Sequence, residues 1–460
     1  MSAEGLHATV PDIPLSDALL PLLDFKPGRP HPRNVATVLR PSSGIINLVL
    51  AEEGNDALYP FTILHSEWEL RAGRHRIIDA WTQMLKPHST TFFGRTNHIA
   101  SFMARFPEYS SQQRAAGVNV VLSSCVVPSL DLARIIIAAV DSNQDVLLTS
   151  NGRCVGFICG DDSWQFLPTH LPHRILQSDI EEFAPQYGRR TEVNARFITG
   201  LWDTLDCISH CLTEQIPSDI EPVNEQLFRT AGVFALDSSN IYVGDTASIA
   251  PLVVLDASAG PIIIGENVTV IAHSTIIGPC YIGDGTIVKA GAKIYGNTII
   301  GERCKVGGEI ENSIIHAYSN KQHEGFLGHS YIGEWVNLGA DTNTSDLKNT
   351  YGSISIKQRG VQRNTQRMFL GLLCGDHTKS GIDTMFNTGT VTGIHANVFG
   401  SGYSPVEIPS FTWGAINESR VYATKMAYSV ARTVMQRRDK QLLPEELTLM
   451  NEEFERTHGG

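Results

Sequence analysis

From residue 264 to 306 an aliphatic side chain returns at every sixth position: Ile264, Val270, Ile276, Ile282, Val288, Ile294, Ile300 and Val306. Four residues after each stands Val268, Ser274, Cys280, Thr286, Ala292, Thr298, Cys304 or Ile310, most of them small. A strand alternates with period two and a helix with 3.6, so neither gives a strict six. The period does follow if each unit is a short strand plus a turn and three units close one triangular coil. The aliphatic then faces inward, and the small residue fits the tight corner. This is the hexapeptide pattern of a left-handed parallel β-helix, an exception to the usual right-handed crossover.

Cys280 and Cys304 fall in the small-residue slot and are read as packing. The beat lapses between Val306 and Ile332, resumes at Ile332 and Leu338, and is weaker at Ile382, Thr388 and Ile394. The lapse reads as an insertion, GGEIENSIIHAYSNKQHEGFLGHSY, rich in histidine. Loops that project from flat solenoid faces are where sites usually lie. Residues 418–441 then carry Ala423, Ala427, Val430 and Val434 on one helical stripe, a helix suited to covering the open end of the coils.

Upstream the text is different. At 460 residues, two domains is the natural expectation. Residues 1–44 are proline-rich and read as an N-terminal extension. INLVLAE (46–52), ELRAGRHRIIDAWTQML (69–85), GVNVVLSS (117–124), LDLARIIIAAVDS (130–142), DVLLTSNG (145–152) and CVGFICG (154–160) alternate strand-like and helix-like segments. That order predicts an α/β domain over 45–220 with a largely parallel sheet, followed by coils over 235–405 and a helical segment over 415–460. The formal net charge of −12 argues against a nucleic-acid or anionic-membrane partner. The start lacks a basic-then-apolar leader, and no apolar run is long enough to span a bilayer. Eight cysteines without a CxxC pair suit reduced thiols, and the expected location is the cytoplasm.

The run HEGFLGHSYIGEWVNLGADT resembles the acetyltransferase segment of the bifunctional UDP-N-acetylglucosamine diphosphorylase/glucosamine-1-phosphate N-acetyltransferase family. It carries His323, Phe326, Leu327–Gly328, Ile332–Gly333, Val336–Asn337 and Gly339–Ala340 at the family's spacing. The runs GDHTKSGIDTMFNTGTVTGIHANVFGSG and IPSFTWG are similar to an alternative, bacteroidete-type branch. The resemblance implies a homotrimer that moves an acetyl group from acetyl-coenzyme A to an amino-sugar phosphate, glucosamine 1-phosphate being favoured. It implies His323 as general base, Asn337 as orienting group and a backbone N–H at Ala340 for the oxyanion. Lys321, Phe326, Lys348, Asn349 and Tyr351 would meet the sugar phosphate, and Ser380, Gly381 and Thr388 the coenzyme. Phe326 stands where the family has tyrosine, and Glu311 falls near a family lysine.

For the first domain the resemblance implies a nucleotidyltransferase-like, Rossmann-type fold that takes a nucleotide and Mg2+. PFTILHSEWELRAG (60–73) keeps Pro60, Thr62, Glu69, Leu70, Arg71 and Gly73 of the branch's run, but His65 and Ser66 replace Arg-Pro. Arg71, Gly73 and Arg74 are the candidate nucleotide-binding residues. The loop AEEGNDALYPFT holds one glycine and three acids, and SSCVVP lacks the branch's second basic group. LWD (201–203) resembles the family's Pro-Trp-Asp segment. Two alternatives stand beside this reading. One is a zinc enzyme of carbonic anhydrase type holding metal on His316, His323 and His329. The other is a non-catalytic nucleotide-sugar sensor or β-helical scaffold.

Overall fold

INLVLA is apolar on both faces but for Asn47, and such a strand is stable only where both sides are covered. In the computed structural model, which describes residues 44–142, 144–164 and 189–459, it is the buried strand β1 (Ile46–Ala51). The reading of 1–43 as an extension lies outside the described residues. After β1 come helix α1 (Ile77–Leu85), β2 (Ser89–Phe93), helix α2 (Thr96–Arg105), β3 (Val118–Ser123), helix α3 (Leu130–Ser142), β4 (Val146–Ser150), β5 (Arg153–Cys159) and β6 (Arg189–Glu192). They make one sheet of order β2-β1-β3-β5-β4-β6. β1 pairs in parallel with β2 and β3.

The sheet is less parallel than expected. β5 runs antiparallel to both β3 and β4, because Asn151–Gly152, both at positive φ, turn the chain directly back as a hairpin. Helix α1 also starts later than the sequence pattern suggested. Glu67–Glu69 form a 3-10 turn, and Arg71 bridges to Arg76 before the helix begins at Ile77.

From Phe234 the chain winds as a left-handed three-sided parallel β-helix. Each coil visits a docking face (nine strands, Ile241–Val243 to Glu407–Ile408), a second face (Ser248–Ile249 through Asn320–Lys321, then Lys379–Ser380 and Asn397–Phe399), and a third face (Phe234–Leu236 to Phe326–Gly328). The eight aliphatics of the six-residue beat are all buried, as are Val268, Ser274, Cys280, Thr286, Ala292, Thr298 and Cys304 in the small slot. Burial pushes the Cys304 thiol up to about 12, in keeping with a packing role.

The beat does not open into a projecting loop at 307–331. In-register pairing continues as Val306↔Lys321, Ile310↔Leu327 and Ile315↔Ile332, so the coils there are shortened at their corners. The true insertion is 345–371, which leaves after Asn343–Thr344 and carries a hairpin, Ser355–Gln358 against Val361–Asn364. Beyond it the inward positions are Cys374, Ser380, Phe386, Thr392 and Val398, so Ile382, Thr388 and Ile394 are out of phase. Ile382 is 73% exposed. Hydroxyl residues fill inward slots here, which hides the phase from a hydrophobicity pattern.

The last coil is closed by a hairpin, Thr412–Ala415 with Arg420–Val421. Helices α4 (Thr424–Gln436) and α5 (Pro444–His458) run alongside the coils instead. Ala427, Ala431 and Met435 are the buried stripe of α4, and Ala423 is exposed. Both helices cover a corner ladder of stacked rings, Tyr318, Trp335, His377, His395 and Phe411, with centroids 4.2, 6.2, 4.7 and 5.0 Å apart.

The docking face is buried on both sides. Inward Ile262 and Ile264 belong to the solenoid core, while Ile263, Tyr281, Ile299, Ile314, Tyr331 and Leu373 between such positions join the core of the α/β domain. All described residues accordingly fall in one compact unit.

Candidate functional site

The corner between the second and third faces carries His323. Lys321, in the strand before it, occupies an inward slot where the coil below has Val306, and is 2% exposed. A lysine can sit there because the corner beneath is Gly307–Gly308. A Cβ on Gly308, whose φ is +68°, would come within 2.7 Å of the Lys321 Nζ. The ammonium donates to the carbonyls of Gly307 (3.1 Å) and His323 (2.7 Å). Burial lowers its pKa to about 8. Lys321 therefore ties down the peptide of His323 from inside, its cation facing two carbonyls. The His323 side chain itself is exposed, with no hydrogen-bond partner among the described residues.

The next corners stack directly on this one. Asp341 N–H donates to Glu324 O (3.1 Å), and Asp383 N–H to Ala340 O (2.9 Å). Gly339 N–H donates to Ser380 Oγ (2.9 Å), which also meets Thr342 Oγ1 (2.7 Å). The structure thus brings His323, Ala340, Ser380 and Gly381 onto one edge, with coils about 4.8 Å apart. Among the described residues the Ala340 N–H makes no hydrogen bond. Asn337 lies on the adjoining second face, bridging Asn320 and Lys379. Phe326 lies on the third face, its N–H donating to Asn343 Oδ1 (2.8 Å). The other candidates stand apart from this edge. Thr388 Oγ1 meets Ser345 Oγ (2.6 Å) at the root of the insertion. Lys348 bonds Ser353 O (2.9 Å) within the insertion, and Asn349 and Tyr351 are exposed there.

One arrangement escaped sequence reasoning. His329 Nδ1 lies 2.8 Å from Asp346 Oδ2, and its ring stacks on Phe369 at 5.0 Å. Gly328 permits this, since a Cβ there would stand 2.4 Å from both the Asp346 carboxylate and the Phe326 ring. The partners are seventeen residues apart across a coil, a separation that no local motif signals. The three histidines of the zinc alternative sit on three different corners. His316 is buried against Tyr331 OH (2.7 Å), and among the described residues no group of three or more His, Cys, Asp or Glu could hold a metal ion.

Arg71, Gly73 and Arg74 lie in the seam between the α/β domain and the docking face. Arg71 forms a two-pronged pair with Glu302 (2.9 and 2.8 Å), donates to Arg74 O (2.6 Å), and is 5% exposed. Arg74 stands over the Tyr281 ring. A side chain on Gly73 would strike Cys211 and Gln215 at 2.5 Å, so this glycine serves packing. Beside them His65 Nε2 lies 2.6 Å from Asp376 Oδ2, and Glu69 accepts from Arg105 (2.8 Å). Burial opposes a charge on His65, but the Asp376 and Glu69 carboxylates outweigh it and raise the imidazole to about 10. Burial also lifts Glu334, next to this cluster, to about 7. The run that resembles a nucleotide-binding segment thus supplies the weld between the two halves.

Comparison with known proteins gives partial matches. No family model matches the chain. It is 30% identical over 104 residues to a bifunctional sugar-1-phosphate nucleotidylyltransferase/acetyltransferase of Sulfurisphaera tokodaii, covering 22% of this chain and 26% of that protein. It is 36% identical over 101 residues to the bifunctional protein GlmU of Methanococcus aeolicus (21% and 24% covered) and 26% over 177 residues to that of Rippkaea orientalis (34% and 35%). The chain therefore matches only about a quarter to a third of the length of these relatives. Among solved structures, the UDP-N-acetylglucosamine acyltransferase of Francisella novicida aligns with TM-score 0.31 at 16% identity, over 48% of this chain and 78% of that one. No helix of the described residues is long and apolar enough to cross a membrane.

Proposed function

We propose that the chain is an acetyl-coenzyme A-dependent N-acetyltransferase acting on an amino-sugar 1-phosphate, glucosamine 1-phosphate first, as a step in nucleotide-sugar assembly. The observation that carries this reading is the edge on which an exposed, unpartnered His323 stands one coil from the free N–H of Ala340, with Ser380 and Gly381 one coil further. The similarity to bifunctional nucleotidylyltransferase/acetyltransferases supports it.

The acceptor amine is protonated near neutral pH and cannot attack a thioester in that form. His323 accepts one proton, the amine nitrogen bonds to the acetyl carbon, and as the tetrahedral centre collapses the C–S bond breaks and the departing sulfur takes the nitrogen's second proton to leave as the free thiol. The Ala340 N–H donates to the carbonyl oxygen as it gains charge. Asn337 orients the acceptor and Phe326 flanks it, without the hydroxyl contact a tyrosine would add. Lys348, Asn349 and Tyr351, on the insertion, meet the sugar phosphate across an interface between copies in a homotrimer. Ser380, Gly381 and Thr388 meet the coenzyme.

The test is acetyl transfer from acetyl-coenzyme A to glucosamine 1-phosphate, read as free thiol, for wild type and His323→Ala. The variant should lose about 10²- to 10⁴-fold in rate with an unchanged melting temperature. Equal rates would remove His323 from the mechanism, and no turnover in either protein would remove the substrate.

A further inference from the structure

β1 lies between β2 and β3, both parallel to it, and the chain leaves the carboxyl end of β1 toward β2 but that of β3 toward β4 on the opposite side, so the two connections diverge. In open α/β sheets the crevice at such a reversal is where a ligand's phosphates are met by backbone N–H groups. In this chain the crevice lies between the loop after Ala51 and the residues after Ser123. It holds the carboxylate of Glu67. The N–H groups of Glu53 (2.7 Å) and Asn55 (2.8 Å) donate to its two oxygens. The Ser124 hydroxyl donates at 2.7 Å and the Cys125 thiol lies 3.4 Å away. Glu67 is 1% exposed.

The neighbouring acids are engaged as well. Glu52 accepts from the Arg95 guanidinium (2.8 and 3.1 Å), from the Arg95 N–H (2.9 Å) and from the Glu67 N–H (3.1 Å). Glu53 is held by Ser123 and Arg153. Mg2+, which the fold family implies here, finds no free set of carboxylates, and among the described residues no group of three or more such ligands exists. The residues do not fit the ion. The same 3-10 turn that delivers Glu67 to the crevice sends Glu69 to Arg105 and, just beyond, Arg71 to Glu302 on the docking face. Seat and seam are two sides of one turn.

We infer that Glu67 is a built-in anion filling the phosphate seat of the α/β domain, so that this domain as folded takes up no nucleoside triphosphate and serves as a collar docked on the β-helix. The requirement is geometric. A phosphate cannot reach the Glu53 and Asn55 N–H groups while a buried carboxylate occupies both, and an incoming triphosphate would also meet Glu52 and Glu53 without a bridging cation.

The experiment uses the full chain. Calorimetric titration with UTP, ATP, GTP and CTP, each with Mg2+, should give no binding to wild type, and phosphate or formate should leave its melting temperature unchanged. Glu67→Ala should melt several degrees lower, and formate or inorganic phosphate should restore much of that loss by refilling the seat. Glu67→Ser, which keeps a hydroxyl toward the loop, carries the same comparison if the alanine variant does not fold. Binding of any Mg–nucleoside triphosphate to wild type overturns the proposal. A foldable variant that neither anion stabilises overturns it too.

Discussion

Two of the places where this molecule gathers titratable side chains are built on opposite plans. In the seam His65, Glu69, Arg71, Arg105, Glu302 and Asp376 are matched charge against charge, most of them out of water. At the edge beneath Ala340 and Ser380 the one buried charge, Lys321, faces carbonyls, while His323 is left exposed. A fully paired cluster fixes how two bodies fit. The His323 imidazole is left without a hydrogen-bond partner among the described residues. Strongly perturbed titration in the seam, as at His65 and Glu69, is there the mark of buried pairing.

The sharpest way to break the comparison is to unpair the seam. Glu69→Ala strips Arg105 and His65 of a buried partner and should cost about 3–5 kcal/mol in denaturant unfolding. A loss below 1 kcal/mol would mean that the seam charges are solvated. pH probes the same cluster. His65 titrates at about 10 against an ordinary 6.5, so its contribution is complete below pH 6.5 and is lost as pH rises through 10. Glu69 is held below its ordinary 4.5 because Arg105 and His65 outweigh burial, so its contribution is present above 4.5 and is lost as pH falls. Thermal melts from pH 4 to 10.5 should peak between 4.5 and 6.5 in wild type, and His65→Gln should flatten the alkaline limb. The smallest effect concerns the edge. Lys321→Met keeps the volume but removes the donor from two carbonyls, and should cost about 1–3 kcal/mol. It should lower acetyl transfer by freeing the His323 corner. Unchanged stability and rate together would show that the buried ammonium does not hold that corner.

Some of what the seam needs is legible in the sequence. Ile263, Tyr281 and Ile299 stand eighteen residues apart, once per coil, on the outward side of a single face. An outward apolar residue on every third unit marks a face that something covers. The Asn151–Gly152 hairpin was equally legible. The position of the insertion was not, because an inward lysine and inward hydroxyls carry the coil where aliphatics were sought. The His329–Asp346 pair depends on register between coils, and the roles of Arg71 and Gly73 depend on which body lies across from them.

By itself the sequence determined the solenoid, since a strict six-residue beat admits almost no other packing. Tertiary structure alone decided that Glu67 turns into the crevice after β1 while Glu69 and Arg71 turn to the docking face. The physical reason is range. A repeat is specified by contacts one coil away, whereas the partner of a buried charge is set by two surfaces that meet far apart in the chain.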